Sequence, residues 1–124
     1  MATQESWLQQ DIILVEWTHP LNRDELAGCF ARLNSMLKEK RETIHILFEI
    51  TNSGSVPAHA PMLALKSGFL SGPNLGKVAV VGMAIVPQIL AQVAASVSGK
   101  DITFFPLMNS ALAFLKDSQR QAEK

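Results

Sequence analysis

The stretch that decides the fold is DIILVEWTHPLNRDEL, residues 11–26. Its first part, Asp11–Trp17, has a continuous apolar centre rather than an alternating one, as expected for a strand that is covered on both faces. Asn22 is followed three positions later by Glu25, which is the spacing of a helix capping box. The stretch therefore predicts a buried strand that passes through a short turn into a helix.

The helix that begins after Asn22 is followed by a second predicted strand. Apolar residues recur at helical spacing after the cap, at Leu26, Cys29, Phe30, Leu33, Met36 and Leu37. The charged run KEKRE ends this helix, and TIHILFEI (Thr43–Ile50) then predicts a second strand. Alternation places Ile44, Ile46, Phe48 and Ile50 on one face of that strand and His45, Leu47 and Glu49 on the other.

The rest of the chain continues to alternate strands and helices. The predicted elements are a strand at Lys77–Gly82, a helix at Pro87–Ser98 closed by Gly99, a strand at Asp101–Phe105 and a helix capped by Asn109 or Ser110. A short first strand at Trp7–Gln9 can pair antiparallel with the strand that follows it. Such alternation implies right-handed crossovers and a mostly parallel sheet.

We therefore predict an α/β fold in which residues 1–124 form a single domain, a mostly parallel (mixed) sheet flanked by helices. The strands Asp11–Trp17 and Lys77–Gly82 carry nearly unbroken apolar runs, so both are expected inside the sheet rather than at its edges. The last residues, about 117–124, are polar and are expected to fray.

The composition argues against a disordered chain, a nucleic-acid-binding protein and a disulfide-linked protein. Of the 124 residues 48% are hydrophobic, which is too many for a disordered chain. Eleven basic residues balance 11 acidic ones, whereas a nucleic-acid-binding protein normally has a basic excess. The single cysteine, Cys29, excludes an internal disulfide framework and is typical of a reducing compartment. We expect a cytoplasmic protein that binds no nucleic acid.

One long stretch, residues 78–99, carries no charged side chain and could span a bilayer by length alone. Pro87 lies near its middle, and Gln88, Gln92 and Ser96 recur at four-residue steps as a polar stripe on one helix. This pattern favours a strand, a turn and a helix over a membrane span. The N-terminus has neither the basic nor the apolar region of a secretory signal.

The sequence offers little catalytic chemistry. One cysteine and three histidines, without CxxC or HxxxH spacing, predict no metal site and no cofactor. Cys29 lies in the apolar stripe of its helix and is interpreted as a packed thiol. His45 and Glu49 are either an acid–base pair or, as we favour, a satisfied histidine beside a partly covered face. Ser53, Ser55 and His59 share a loop but form no nucleophile elbow, so we expect a protein that is not an enzyme.

The candidate site is the loop and helix at residues 51–70. The loop TNSGSVP (Thr51–Pro57) follows a strand's carboxyl end, where open parallel sheets place their sites. A helix of about Ala60–Phe69 follows it, with more apolar residues than one core can take. The candidate binding residues are Asn52, Ser53, Ser55 and His59 in and after the loop, and Met62, Leu65 and Phe69 at i, i+3 and i+7.

Three interpretations of this segment stay open. It is a surface for another protein or for a second copy in a homodimer, or it is the wall of a pocket for a small apolar ligand. The third is that a dimer or neighbouring loops cover it with no further function.

Three stretches resemble the STAS-like family, in particular its SpoIIAA-like (STAS/SEC14-type) branch. They are Asp11–Leu26, Thr43–Ile50 with the loop and short helix after it, and Lys77–Leu115, which contains KVAVVG and DITFFPLMNSALAFLK. The resemblance covers roughly residues 5–117 and implies that branch's fold. It also implies a non-enzymatic regulatory or interaction module.

The resemblance carries a further expectation that this chain does not fully meet. Anti-sigma-factor antagonists of the family have a phosphorylatable serine in an Asp-Ser-Ser-Gly turn at the start of the helix after the third strand. The corresponding positions here are Pro57, Ala58 and His59, where no such motif stands. Ser53 and Ser55 lie a few residues earlier. The SEC14-type comparison suggests instead a small apolar ligand or lipid.

Overall fold

Five strands in one mixed sheet form the centre of the molecule. The computed structural model describes residues 3–18, 21–51, 60–83, 85–97, 99–100 and 102–123. The strands are β1 (Thr3–Gln9), β2 (Ile12–Trp17), β3 (Ile44–Ile50), β4 (Leu75–Val81) and β5 (Ile102–Phe105). The helices are α1 (Arg23–Lys38), α2 (Ala60–Ser67), α3 (Ile85–Val97) and α4 (Met108–Glu123), and a 3₁₀ turn (Phe69–Ser71) follows α2.

The strand order is β1-β2-β3-β4-β5. β1 pairs antiparallel with β2, and all other neighbours are parallel. β2 and β4 are therefore interior strands, as predicted, and β3 is the middle one. The carboxyl ends of β2 to β5 meet at one edge of the sheet, which is where the loop after β3 begins.

The two faces of the sheet are covered unequally. On one face, α1, α2 and α3 pack over a large cluster that includes Ile13, Val15, Ile46 and Val80. On the other face, α4 alone covers a smaller cluster that includes Leu47 and Ala79. The alternation predicted for β3 is confirmed, since its isoleucines and Phe48 lie in the first cluster and Leu47 in the second.

The helix α1 forms as its sequence indicates. The Asn22 side chain accepts a hydrogen bond from the Glu25 N–H (2.8 Å), and the Glu25 carboxylate accepts one from the Asn22 N–H (3.0 Å). This is the predicted capping box, and it satisfies two backbone donors at the helix start. The buried residues of α1 are Leu26, Cys29, Phe30, Leu33 and Leu37.

β1 is longer than predicted, because it begins at Thr3 rather than Trp7. Its polar residues gave no strand pattern, yet two of them face α1. Arg32 donates hydrogen bonds to both oxygens of Glu5, whose side chain is only 4% exposed, and to the Thr3 hydroxyl (2.6 Å). The Lys40 ammonium lies 4.1 Å from the centre of the Trp7 ring. Contacts of Arg32 in α1 and of Lys40 just after it thus hold β1 in place.

Three helices have boundaries that differ from the prediction. α3 begins at Ile85, so Pro87 sits inside the first turn rather than at the first position, where its missing N–H is still tolerated. α2 ends at Ser67 and not at Phe69, since Gly68 adopts a left-handed conformation with φ +82°. α4 begins at Met108, so Asn109 and Ser110, the predicted caps, lie inside its first turn, and it extends to Glu123 through residues of which Gln, Arg, Ala and Glu favour a helix.

Candidate interaction site

The candidate loop begins at a firmly held point of the sheet. Both the N–H and the hydroxyl of Thr51 donate to the Trp17 carbonyl oxygen, at 3.0 and 3.2 Å. On the other side, Gly82 follows β4 with φ +86°, and a Cβ added there would lie 2.4 Å from the Ile50 carbonyl oxygen. The end of β2 on one side and the residue after β4 on the other therefore fix the place where the loop leaves the sheet.

The polar residues predicted for this site fall in residues 52–59, outside the described part of the chain. They are Asn52, Ser53, Ser55 and His59. Their proposed binding roles, and any chemistry among Ser53, Ser55 and His59, stay predictions.

The helix α2 carries both core and surface side chains. Ala60 and Ala64 are buried in the main cluster, and Leu63 and Leu65 are partly buried and pack against it. Met62, by contrast, is 54% exposed, which is high for a large apolar side chain. The sequence predicted that some apolar residues of this helix would be exposed, and Met62 is one.

The predicted face of Met62, Leu65 and Phe69 is not one exposed surface. Leu65 turns toward the core, whereas Met62 turns toward solvent. Phe69 lies beyond Gly68 in the 3₁₀ turn rather than on α2, and its side chain is outside the described part. The i, i+7 relation fails because the left-handed Gly68 ends the helix.

A groove of about 440 Å³ lies between α1 and α2. Its lining residues are Ala27, Ala31, Asn34, Ser35, Lys38, Leu63, Lys66 and Ser67. The Asn34 side chain donates a hydrogen bond to the Ser67 carbonyl oxygen and so joins the two helices. Lys38 and Lys66 are exposed, and no ion pair holds either one within the described residues. The groove thus offers apolar and cationic contacts together.

Sequence reasoning missed this groove. Its two walls come from helices that are distant in the chain, so no local pattern joins Lys38 to Lys66. The pocket predicted between α2 and the sheet stays a prediction, and two described residues of that region, Ala64 and Leu70, are buried in the main cluster. The only available signal was the small-residue spacing of Ala27, Ala31 and Ser35 on one side of α1.

His45 is a structural histidine. It is 5% exposed, and its Nδ1 accepts a hydrogen bond from the Lys77 N–H (2.9 Å). Burial lowers the pKa of His45, nearby Asp11 raises it and Lys77 lowers it further. The buried Leu47 separates His45 from Glu49 along the strand. The structure therefore supports a satisfied histidine rather than an acid–base pair.

Cys29 is a packed thiol, as predicted. The residue is fully buried, and burial raises the pKa of its thiol to about 12. The neighbouring Trp17 side chain lowers that pKa and Glu5 raises it. A thiol with such a pKa is almost wholly protonated at neutral pH and is a poor nucleophile.

The described residues contain neither a cluster of metal ligands nor a membrane-spanning helix. Among them, no three or more His, Cys, Asp or Glu side chains are grouped so that they could hold a metal ion. None of the described helices combines the length and the apolar character needed to cross a bilayer.

Comparisons with known proteins identify the fold. No protein-family model and no curated protein matches the chain. Among solved structures, it is similar to an uncharacterized protein of the DUF3478 family with a SpoIIAA-like fold from Shewanella loihica PV-4. The two chains are 22% identical, the match covers 92% of each, and the TM-score is 0.63. With its five-stranded mixed sheet and flanking helices, the present chain has the SpoIIAA-like fold.

Proposed function

We propose that this protein is a non-enzymatic regulatory module that binds another protein through the loop and helix at Thr51–Leu70. The observation that carries this proposal is the exposure of Met62. The other described apolar residues of α2 turn partly or fully into the core, so its 54% exposure is not needed to build the fold. Methionine side chains adapt to varied partners and are enriched at protein interfaces.

The position of the segment supports the same proposal. It follows the carboxyl end of β3, the edge at which open parallel sheets place their binding sites. Thr51 and Gly82 hold the start of the loop, so a bound partner would meet a loop with a fixed base. A rigid base reduces the entropy lost on binding.

A regulatory role also fits the state of two described side chains that could otherwise act in catalysis, Cys29 and His45. The thiol of Cys29 is buried and protonated, and His45 is buried with its Nδ1 already engaged. Neither can serve substrates in solution without the fold opening. A balanced charge argues against a nucleic acid as the partner, and a single buried cysteine suits a cytoplasmic protein.

The groove between α1 and α2 favours a second candidate function, the carrying or sensing of a small apolar ligand or lipid. Its volume of about 440 Å³ falls within the range of small-molecule sites. Leu63 and Ala31 would contact an apolar chain, while Lys38 and Lys66 would meet an anionic head group. The ligand would then lie between the two helices rather than beneath α2.

Site-specific photo-crosslinking tests the proposed function. A photoreactive residue replaces Met62 in one protein and the exposed Ala113 of α4, on the opposite face, in a control. We expect a discrete protein adduct from position 62 only. The same adduct should disappear when unlabelled wild-type protein competes but persist when unlabelled Met62→Ser competes.

The fold of the Met62→Ser variant is checked by its melting temperature, which should stay near that of the wild type because the side chain is exposed. Equal adducts from positions 62 and 113, or no adduct from either, would contradict the proposal. A large drop in melting temperature would instead make Met62 an ordinary core residue.

A further inference from the structure

The exposed face of α3 carries two apolar side chains, Ile89 and Val93, while the glutamines beside them are hydrogen-bonded to backbone carbonyl oxygens. Ile89 and Val93 are each 59% exposed. The Gln88 side chain donates to the Met83 carbonyl oxygen (2.8 Å), and the Gln92 side chain donates to that of Ile102 (2.6 Å). The glutamine stripe seen in the sequence therefore serves the protein's own backbone.

The fold does not need Ile89 and Val93 in this position. Among the described side chains of α3, those that enter the main cluster are the alanines Ala91, Ala94 and Ala95. Ile89 and Val93 are four residues apart, so they form adjacent knobs on one side of the helix. Single exposed apolar residues are common, but a paired apolar stripe on an uncharged helix is typical of an interface.

Charge indicates what covers this face. No charged side chain occurs in residues 78–99, and α3 has no acidic residue in its first turn and no basic residue in its last. α1, by contrast, carries Asp24 and Glu25 in its first turn and Lys38 in its last. A two-fold interface places each surface against itself, so a charged face would repel its copy and a neutral face does not.

The helix dipole points to the same partner. The ends of α3 are not compensated by its own side chains. In an antiparallel pair of such helices, the positive amino end of one lies beside the negative carboxyl end of the other. This arrangement satisfies both ends at once, whereas a parallel pair would bring like ends together.

We propose that α3 packs antiparallel against α3 of a second copy of this chain, with Ile89 and Val93 at the centre of the two-fold interface. The axis passes between Ile89 and Val93 on the exposed side of α3, so that Ile89 of each copy meets Val93 of the other. α3 packs beside α2 on the same face of the sheet, but the proposed pairing does not depend on the function proposed for the Thr51–Leu70 segment.

Charge substitution tests the interface and its symmetry. Two variants are made, Ile89→Lys with Val93→Lys and Ile89→Glu with Val93→Glu. We expect the wild type to sediment as a dimer in the micromolar range and each variant alone as a monomer. An equal mixture of the two variants should sediment as a dimer, because the opposite charges then face each other across the axis.

Two controls accompany this test. The melting temperature of each variant reports whether the variant is folded. It should stay near that of the wild type because Ile89 and Val93 are exposed. Met62→Ser should remain a dimer, which separates this interface from the proposed partner site. A monomeric wild type, or variants that remain dimers, would overturn the proposal. A mixture that stays monomeric would overturn the antiparallel pairing of α3 with itself.

Discussion

The replacement of Gly82 by alanine should destabilise the protein far more than the same change at Gly68. Both glycines have positive φ, +86° and +82°, so alanine is strained at each position by about 1–2 kcal/mol. Only at Gly82 does the new Cβ meet a neighbour, the Ile50 carbonyl oxygen at 2.4 Å, while nothing lies within 4 Å at Gly68. Ile50 cannot easily move, because it belongs to the middle strand and pairs with Trp17.

The clash adds roughly 1–3 kcal/mol, the usual penalty for overpacking a fixed environment. Gly82→Ala should therefore lower the free energy of unfolding by roughly 2–5 kcal/mol, and Gly68→Ala by about 1–2 kcal/mol. For a domain of this size, the first change corresponds to a fall in melting temperature of roughly 8–20 °C. Thermal unfolding followed by circular dichroism measures both. Equal melting temperatures for the two variants would refute the close approach of Gly82 to β3.

Three further predictions concern buried polar groups. As the pH is lowered, His45 takes up a proton near pH 6.5 in the unfolded state but only at a lower pH in the folded state, because its folded-state pKa is lower. The stability of the protein should therefore fall as the pH drops below about 6.5. His45→Asn keeps an acceptor for the Lys77 N–H but does not titrate, so urea unfolding at several pH values should show this fall only in the wild type. Arg32→Met leaves the Glu5 carboxylate unpaired and should lower the free energy of unfolding by about 2 kcal/mol. The loss is smaller than for a fully buried ion pair because Arg32 is half exposed. Adding Glu5→Gln should restore most of this loss, and a double variant no more stable than the single one would contradict the pairing. Cys29 should react with iodoacetamide at neutral pH only after unfolding, and rapid labelling of the folded protein would contradict its raised pKa.

Much of the fold follows from local sequence patterns. The uninterrupted apolar run of Asp11–Trp17 requires cover on both sides, and the structure gives it an interior position. Asn22 and Glu25 identify the start of α1 because both halves of the capping box are local. The start of β1 could not be predicted in this way. Thr3 and Glu5 are polar, and what holds them is Arg32, far away in the chain.

The candidate site was less predictable because the burial of its side chains depends on how α1, α2 and α3 pack beside one another on the sheet. The sequence of α2 shows an excess of apolar residues but not which of them faces water, and Leu65 and Met62 differ only in orientation. Hydropathy alone would place Ile89 and Val93 in the core. The alanines of α3 fill the core instead and leave that pair outside. The groove between α1 and α2 exists only once two distant segments pack together.

Native mass spectrometry of the protein purified from its own host most directly tests whether it works by binding a partner protein. The account predicts masses of the chain and of protein complexes that contain it, without a retained small molecule. Met62→Ser should lose the complex with the partner protein but keep the mass of its own dimer, the assembly proposed for α3. A stoichiometric small apolar molecule that stays bound to the wild type, and is retained by Met62→Ser, would contradict the account and make the protein a ligand carrier.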